Sequence, residues 1–85
     1  MSLFNFEYAS KQYLYESFRF FEESSKNLIE KGLSIPAYEQ CIKASHSFNL
    51  LDSRGLVSVS ERQSYILRIR SLVHSCCKLI LEKNE

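Results

Sequence analysis

The scarcity of chain breakers constrains the fold of this sequence more than any other feature. Only two glycines and one proline occur among its 85 residues. A β-sandwich or β-barrel needs many turns, which draw heavily on glycine and proline. Gly32, Pro36 and Gly55 instead separate three long segments with helical periodicity. The sequence therefore predicts an all-α three-helix bundle, with helices over about residues 9–31, 37–54 and 59–82.

Each predicted helix carries apolar residues at spacings of three and four, as expected for a helix with one buried face. The first stripe is Leu14, Phe18, Phe21, Ser25 and Leu28, widened by Tyr13, Phe20 and Ile29. The second is Tyr38, Cys41, Ile42, Ser45 and Phe48, and the third is Ile66, Ile69, Val73, Cys76 and Ile80, flanked by Tyr65, Leu72 and Leu79. These residues are the predicted core.

The predicted helix ends have recognisable sequence signals. Gly32 and Gly55 follow the first two helices, where a left-handed glycine commonly ends a helix. Pro36 predicts that the second helix begins at or just after it. Ser58 and Glu61 have the spacing of a capping box that starts the third helix. Residues 1–8 lack a clear period and are predicted to be a connector, with residues 9–85 as the helical domain.

Composition excludes several classes of protein. The chain is 45% hydrophobic and 25% charged, which disfavours disorder. Its formal net charge is +1, whereas a free-standing nucleic-acid-binding domain usually has a strong basic excess. Any RNA contact would therefore be local. No membrane span or signal peptide is evident, so the sequence predicts a cytosolic protein without a membrane partner.

The cysteines and histidines do not have the spacing of a metal site. None of Cys41, Cys76 and Cys77 forms a C-x-x-C pair, and His46 and His74 add no zinc-type spacing. We expect buried, reduced thiols and no metal. Catalytic residues are not expected either, since so small a bundle rarely has a pocket. Ser60, Ser64, Ser71 and the pair Glu22–Glu23 are interpreted as exposed helix surface.

Two sets of polar residues remain as candidates for a function. Arg54, Arg62, Arg68 and Arg70 form a candidate surface for a partner or for RNA. The last three do not share one helical face, so separate ion pairs with Asp52, Glu39 or Glu61 are the alternative. The second group, a candidate structural corner between the second and third helices, consists of His46, Asn49, Asp52, Gly55, Ser58 and Glu61.

The same corner carries a family resemblance. Residues 35–39 (IPAYE), 43–55 (KASHSFNLLDSRG), 58–63 (SVSERQ) and 65–70 (YILRIR) closely resemble the α subunit of the bacterial heterotetrameric glycyl-tRNA synthetase. The resemblance covers essentially the whole chain but only the last part of the family's subunit. Ser53, Leu56, Val57 and Ser64 depart from the usual family residues. Ser64 replaces a common arginine, which weakens an RNA contact on that face.

The resemblance implies a role within a larger enzyme. The parent α2β2 enzyme would attach glycine to tRNA(Gly) with ATP and Mg²⁺, whose binding residues lie in a catalytic domain that this segment lacks. No catalytic, cofactor-binding or metal-binding residue is expected here. The expected partners are that missing catalytic domain, to which residues 1–8 would connect, the β subunit and tRNA(Gly). Phe4, Phe6 and Tyr8 are expected to be partly exposed in its absence.

Three hypotheses follow from these observations. The leading one is a C-terminal docking domain of a ligase subunit, inactive on its own. The second is a helical module that contacts tRNA through its arginines. The third is an unrelated helical adaptor that binds another protein through an aromatic face. Binding of tRNA that depends on salt concentration would distinguish the second from the others.

Overall fold

The chain forms three helices packed together. The structure, a computed structural model, describes residues 3–83, with side chains described from residue 9 onwards. Helix α1 spans Leu3–Glu30, α2 spans Ser34–Ser53 and α3 spans Val59–Lys83. Within residues 3–83 there is no strand. The predicted all-α, three-helix fold is confirmed.

Helix α1 begins six residues earlier than predicted, at Leu3 rather than residue 9. The predicted start was wrong because the helix was assumed to begin where the regular spacing of apolar residues begins. Residues 3–8 contain no glycine or proline that would end it. Whether this segment connects to another domain stays a prediction. The expected exposure of Phe4, Phe6 and Tyr8 concerns side chains outside the described ones.

Helix α2 also begins earlier than predicted, because Pro36 lies inside its first turn. The helix starts at Ser34, and its first bond runs from the Ala37 amide to the Leu33 carbonyl, at 3.1 Å. The first amides of a helix have no intrahelical acceptor, so the missing N–H of Pro36 costs no hydrogen bond. Pro36 therefore fits in this helix instead of limiting it.

The two glycine-terminated helix ends are confirmed. After α2 the Gly55 amide donates to the Asp52 carbonyl and the Leu56 amide donates to the Leu51 carbonyl, both at 3.0 Å. This pair of bonds is the Schellman motif, which needs a left-handed residue. Gly55 has a φ of 65° and Gly32, in the same arrangement after α1, has a φ of 75°. The chain therefore reverses direction after α1 and again after α2.

An aromatic cluster joins the three helices. The Tyr65 ring of α3 meets the Phe18 ring of α1 edge-on, with 4.6 Å between centroids, and stacks on Phe48 of α2 at 5.5 Å. The buried residues of this core are Leu14, Phe18, Ala44, Phe48, Leu51 and Tyr65. Of the two leucines that could point inward from α2, Leu51 is buried and Leu50 is 44% exposed.

Parts of the predicted core are exposed. On α1, Tyr13 and Phe20 are 70% and 66% exposed, and on α2, Tyr38 and Ile42 are 42% and 40% exposed. Helix α2 instead buries a face rich in small side chains: Ser34, Ala37, Cys41, Ala44, Ser47, Phe48 and Leu51. These small residues allow close helix packing, and the Ser25 hydroxyl donates to the Ala37 carbonyl at 2.9 Å. A buried face of small side chains is not predicted when large apolar residues are used to find the buried side of a helix.

Helix α3 is rotated relative to its predicted stripe. Tyr65, Leu72 and Cys76 are buried, whereas Ile66, Ile69, Val73 and Ile80 are half-buried. The domain is elongated, with extents of 55 × 24 × 15 Å and a radius of gyration of 14.7 Å. A compact chain of this length would have a radius of gyration of about 12 Å. Much of each helix therefore faces outward.

Candidate functional site

The corner between α2 and α3 is held by a capping box. The Glu61 amide donates to the Ser58 hydroxyl at 3.1 Å, and the Glu61 carboxylate accepts from the Ser58 amide at 3.0 Å. These reciprocal bonds satisfy two amides at the start of α3 that have no helical acceptor. The predicted capping box is confirmed, and together with the Schellman motif at Gly55 it fixes the direction of α3.

Glu61 also reaches α1, a contact that the sequence analysis did not predict. The Tyr15 hydroxyl donates to the second carboxylate oxygen of Glu61 at 2.6 Å. Burial first, and then this bond and the Glu61 charge, raise the pKa of Tyr15 to about 12. The same bond lowers the pKa of Glu61. The carboxylate stays ionised and the phenol stays neutral, so the bond persists across the ordinary pH range.

Asp52 connects the end of α2 to the first turns of α3. Its carboxylate accepts from the Arg62 guanidinium at 3.2 Å, with both side chains substantially exposed. Asp52 was one of the acids predicted to pair with an arginine. Exposed pairs of this kind contribute little to stability, typically under about 1 kcal/mol. The pair nevertheless occupies the Arg62 guanidinium, which was assigned to a candidate RNA surface.

The strongest ion pair joins Arg68 of α3 to Glu22 of α1. Two bonds, at 2.9 and 2.5 Å, connect the guanidinium to the carboxylate, and the Glu22 side chain is only 8% exposed. The Arg68 guanidinium also lies over the rings of Phe18 and Tyr65, at 4.8 and 5.1 Å from their centroids. The hydrogen bonds from Arg68 lower the pKa of Glu22, against the opposing effect of burial.

This pair corrects two predictions. Glu22 does not lie on exposed helix surface with Glu23; the residue as a whole is 6% exposed and faces the core. Arg68 does not pair with Asp52, Glu39 or Glu61. A sequence signal for Glu22 existed, since it follows Phe18 by four residues and precedes Ser25 by three, and both are buried. Glu22 was nevertheless predicted to be exposed, because two adjacent acidic residues usually face solvent.

Arg54 and Arg70 remain at the surface. The Arg54 guanidinium makes one long contact, 3.4 Å, with the Ser10 hydroxyl. Arg70 is exposed on the outward face of α3, with His74 four residues on and Lys78 eight residues on. The four arginines therefore do not form one surface. Arg62 and Arg68 bind other helices, and Arg54 lies in the α2–α3 corner at the end of α2, whereas Arg70 lies three turns into α3.

His46 and Asn49, the other candidate corner residues, are exposed on α2. The hydrogen bonds of the corner are made by backbone groups of residues 50–56 and by the side chains of Asp52, Ser53, Ser58 and Glu61. Gly55 contributes its left-handed conformation. The corner is thus built from four of the six residues assigned to it.

The cysteines divide into two buried and one exposed. Cys41 and Cys76 are buried, and burial raises the pKa of both thiols. Cys77 is exposed, so the expectation that all three are core residues is wrong for it. Among the described residues no three His, Cys, Asp or Glu side chains converge as metal ligands. None of the described helices is long and apolar enough to cross a membrane.

Comparisons with known proteins address the family. The family model described as glycyl-tRNA synthetase alpha subunit matches residues 1–85. The glycine–tRNA ligase alpha subunits of Rickettsia bellii strains OSU 85-389 and RML369-C are each 48% identical to the chain over 81 residues. That alignment covers 95% of this chain and 28% of each relative. The chain therefore spans just over a quarter of the length of these relatives.

The family match contradicts the hypothesis of an unrelated helical adaptor. Identity near one half over almost the whole chain establishes homology to a subunit of an enzyme. The match agrees with the resemblance carried by residues 35–70, including the α2–α3 corner. This chain belongs to the glycyl-tRNA synthetase alpha subunit family.

Proposed function

We propose that this chain is the C-terminal accessory and docking domain of a glycine–tRNA ligase α subunit. In this proposal the complete subunit works with a β subunit as a cytoplasmic α2β2 enzyme that attaches glycine to tRNA(Gly). ATP, Mg²⁺ and glycine bind in another part of the α subunit, and this segment is inactive alone. The family match over residues 1–85, and its coverage of only 28% of each relative, support the proposal.

The use of polar side chains between helices is the observation that carries this proposal. Arg68 binds Glu22, Arg62 binds Asp52, and Tyr15 binds Glu61, so each helix is connected to another by a side-chain bond. These groups fix the geometry of the three helices. Such an arrangement suits a rigid element that holds other surfaces in place better than a reactive site, whose groups must reach a substrate.

Exposed apolar side chains support a docking role. Tyr13, Phe20, Ile35, Val59, Leu67 and Leu81 are each more than 60% exposed. Single exposed apolar residues are ordinary, but contiguous ones commonly mark a contact with another protein surface. The elongated shape, with a radius of gyration of 14.7 Å, increases the surface available for such contacts.

The proposal is tested by binding and by activity. The matched 81 residues of the Rickettsia bellii α subunit are replaced by this chain, and charging of tRNA(Gly) with glycine is measured with the β subunit present. We expect charging by the chimera and none by the 85-residue chain. Loss of charging by a folded chimera that still assembles with β would contradict the proposed role. Gel filtration with β reports the assembly separately.

A second candidate function, contact with tRNA, is favoured by one observation. Arg70, His74 and Lys78 lie at i, i+4 and i+8 on the exposed face of α3, over about 12 Å. Cations spaced along a helix can neutralise RNA phosphates, and their binding weakens as salt rises. For this candidate, Arg70→Gln with Lys78→Gln should lower the salt dependence of tRNA binding by about two phosphate contacts. Arg19→Gln, on exposed α1, is the control and should have no effect.

A further inference from the structure

The exposed positions of α1 separate into two faces of different chemistry. One face carries Glu16, Arg19, Glu23, Lys26 and Glu30, which are all charged and exposed. The other has the spacings four, three, four and three, and consists of the exposed Tyr13, Phe20 and Asn27 with the half-buried Ser17 and Ser24 between them. We call this second face the α1 outer stripe. It has no charged residue over four helical turns.

The two rings of the α1 outer stripe are highly exposed. Tyr13 is 70% and Phe20 is 66% exposed, and neither belongs to the aromatic cluster around Tyr65. Among the aromatic rings of residues 9–83, the Phe20 ring pairs with the neighbouring Phe21 ring alone, edge-on with 5.6 Å between centroids. An amphipathic helix ordinarily buries its uncharged side and exposes its charged side. The α1 outer stripe is therefore an uncharged side of α1 that α2 and α3 leave largely exposed.

Helix α2 adds apolar surface next to this stripe. Arg54 contacts Ser10, and the Lys43 ammonium lies 5.8 Å from the centroid of the Phe21 ring, so α2 runs antiparallel beside α1 here. Leu50 lies between these two cations along the same face of α2 and is 44% exposed. The exposed apolar side chains on these neighbouring parts of α1 and α2 are Tyr13, Phe20 and Leu50, and Lys43 and Arg54 are the cations of α2 that contact α1 here.

The area of these exposed apolar side chains limits the kind of partner that they can hold. An aromatic side chain has about 200 Å² of surface, so the two rings expose roughly 300 Å² together. A stable interface between separate proteins takes about 800 Å² from each partner. A second copy of the chain or a free protein would therefore bind this surface weakly. A surface within the same polypeptide needs less area, because the tether supplies an effective concentration on the order of 1 mM.

The relatives indicate a partner that is tethered to this domain within the same polypeptide. The matched residues make up 28% of each Rickettsia bellii α subunit, so more than two thirds of that polypeptide lies outside the match. The absence of cations within the stripe disfavours nucleic acid, which needs them for its phosphates. We infer that the α1 outer stripe, with Leu50, is the surface on which the remaining part of the α subunit docks. This inference rests on the proposed function.

The inference is tested by thiol accessibility in two polypeptides, the 85-residue chain and the Rickettsia bellii chimera described above. Both carry Cys77→Ser to remove the exposed thiol, and accessible cysteines in the rest of the chimera are replaced. Phe20→Cys and Tyr13→Cys are prepared separately, so that each variant keeps the other ring. Ser64→Cys, exposed on α3 and outside the apolar side chains that support docking, is the control. The rate of reaction with a chromogenic thiol reagent is measured for each.

We expect Cys at positions 13 and 20 to react about tenfold more slowly in the chimera than in the 85-residue chain. That factor follows from an effective concentration of about 1 mM and a docking Kd of about 0.1 mM. Ser64→Cys should react equally in both. Equal rates at positions 13 and 20 in both polypeptides would overturn the inference.

Other outcomes identify a different occupant and also overturn it. Protection that appears only after the β subunit or tRNA is added assigns the stripe to that partner. Protection that rises with protein concentration assigns it to a second copy. The charging assay separates this inference from the proposed function. A chimera that charges tRNA without protection contradicts the inference alone, and protection in a chimera that does not charge contradicts the proposed function alone.

Discussion

Replacing Glu22 by glutamine should destabilise the domain far more than the same change at its neighbour Glu23. Glutamine keeps the shape of Glu22 and can still accept one bond from Arg68, but it removes the charge that balances the guanidinium. The Glu22 side chain is 8% exposed and that of Arg68 is 39% exposed. Glu23 is exposed. Because both variants make the same change from glutamate to glutamine, the difference in their stability reports only the burial and the ion pairing of Glu22.

The expected magnitude lies between two limits. Breaking a fully buried ion pair costs about 3–5 kcal/mol, and breaking an exposed one costs less than about 1 kcal/mol. Because Arg68 keeps access to water on one side, we expect Glu22→Gln to lower the free energy of unfolding by about 2 kcal/mol. The total free energy of unfolding of a chain of this size is about 4–13 kcal/mol. Glu23→Gln should change it by less than about 0.5 kcal/mol.

Urea denaturation followed by circular dichroism measures both variants under the same conditions. A pH series gives a second measurement. The pKa of Glu22 is lowered in the folded chain, so its contribution is present above the pKa of the unfolded carboxyl and is lost as pH falls through the folded one. The gap between the wild type and Glu22→Gln should therefore close in acid. Equal effects of the two substitutions at neutral pH would refute the reasoning.

Three other predictions concern single contacts. Tyr15→Phe should remove from the ultraviolet titration a phenol with a pKa of about 12, and the stability that this phenol contributes should be lost as pH rises from about 10 to 12. Loss of a phenol that titrates near pH 10 would contradict the raised pKa of Tyr15. Gly55→Ala should lower unfolding free energy by about 1 kcal/mol through backbone strain alone, since nothing lies within 4 Å of the added Cβ. A thiol reagent should modify Cys77 rapidly and Cys41 and Cys76 only after unfolding, as peptide mapping would show.

The sequence predicted the helices well where local chemistry decides them. Gly32 and Gly55 end helices because only local backbone bonds and a positive φ are involved, and Ser58 with Glu61 starts one for the same reason. The start of α2 was missed because a proline is compatible with a first turn. Local signals alone do not distinguish a proline that precedes a helix from one inside its first turn.

The candidate site was predicted less well because its contacts are long-range. Arg68 and Glu22 are 46 residues apart, as are Tyr15 and Glu61, and their pairing depends on how α3 packs against α1. The exposure of Tyr13 and Phe20 was also unpredictable from α1 alone. Their spacing suits a core face, and only the position of α2 decides which apolar side of α1 is covered.

The double use of the Glu61 carboxylate has a consequence for the cooperativity of this domain. One oxygen completes the local cap of α3, and the other receives the hydroxyl of Tyr15 on α1. Fraying of the first turn of α3 and separation of α1 from α3 therefore break bonds to the same side chain. The two motions should occur as one event, so that a load applied to α1 is transmitted to the start of α3 without passing through the intervening helix.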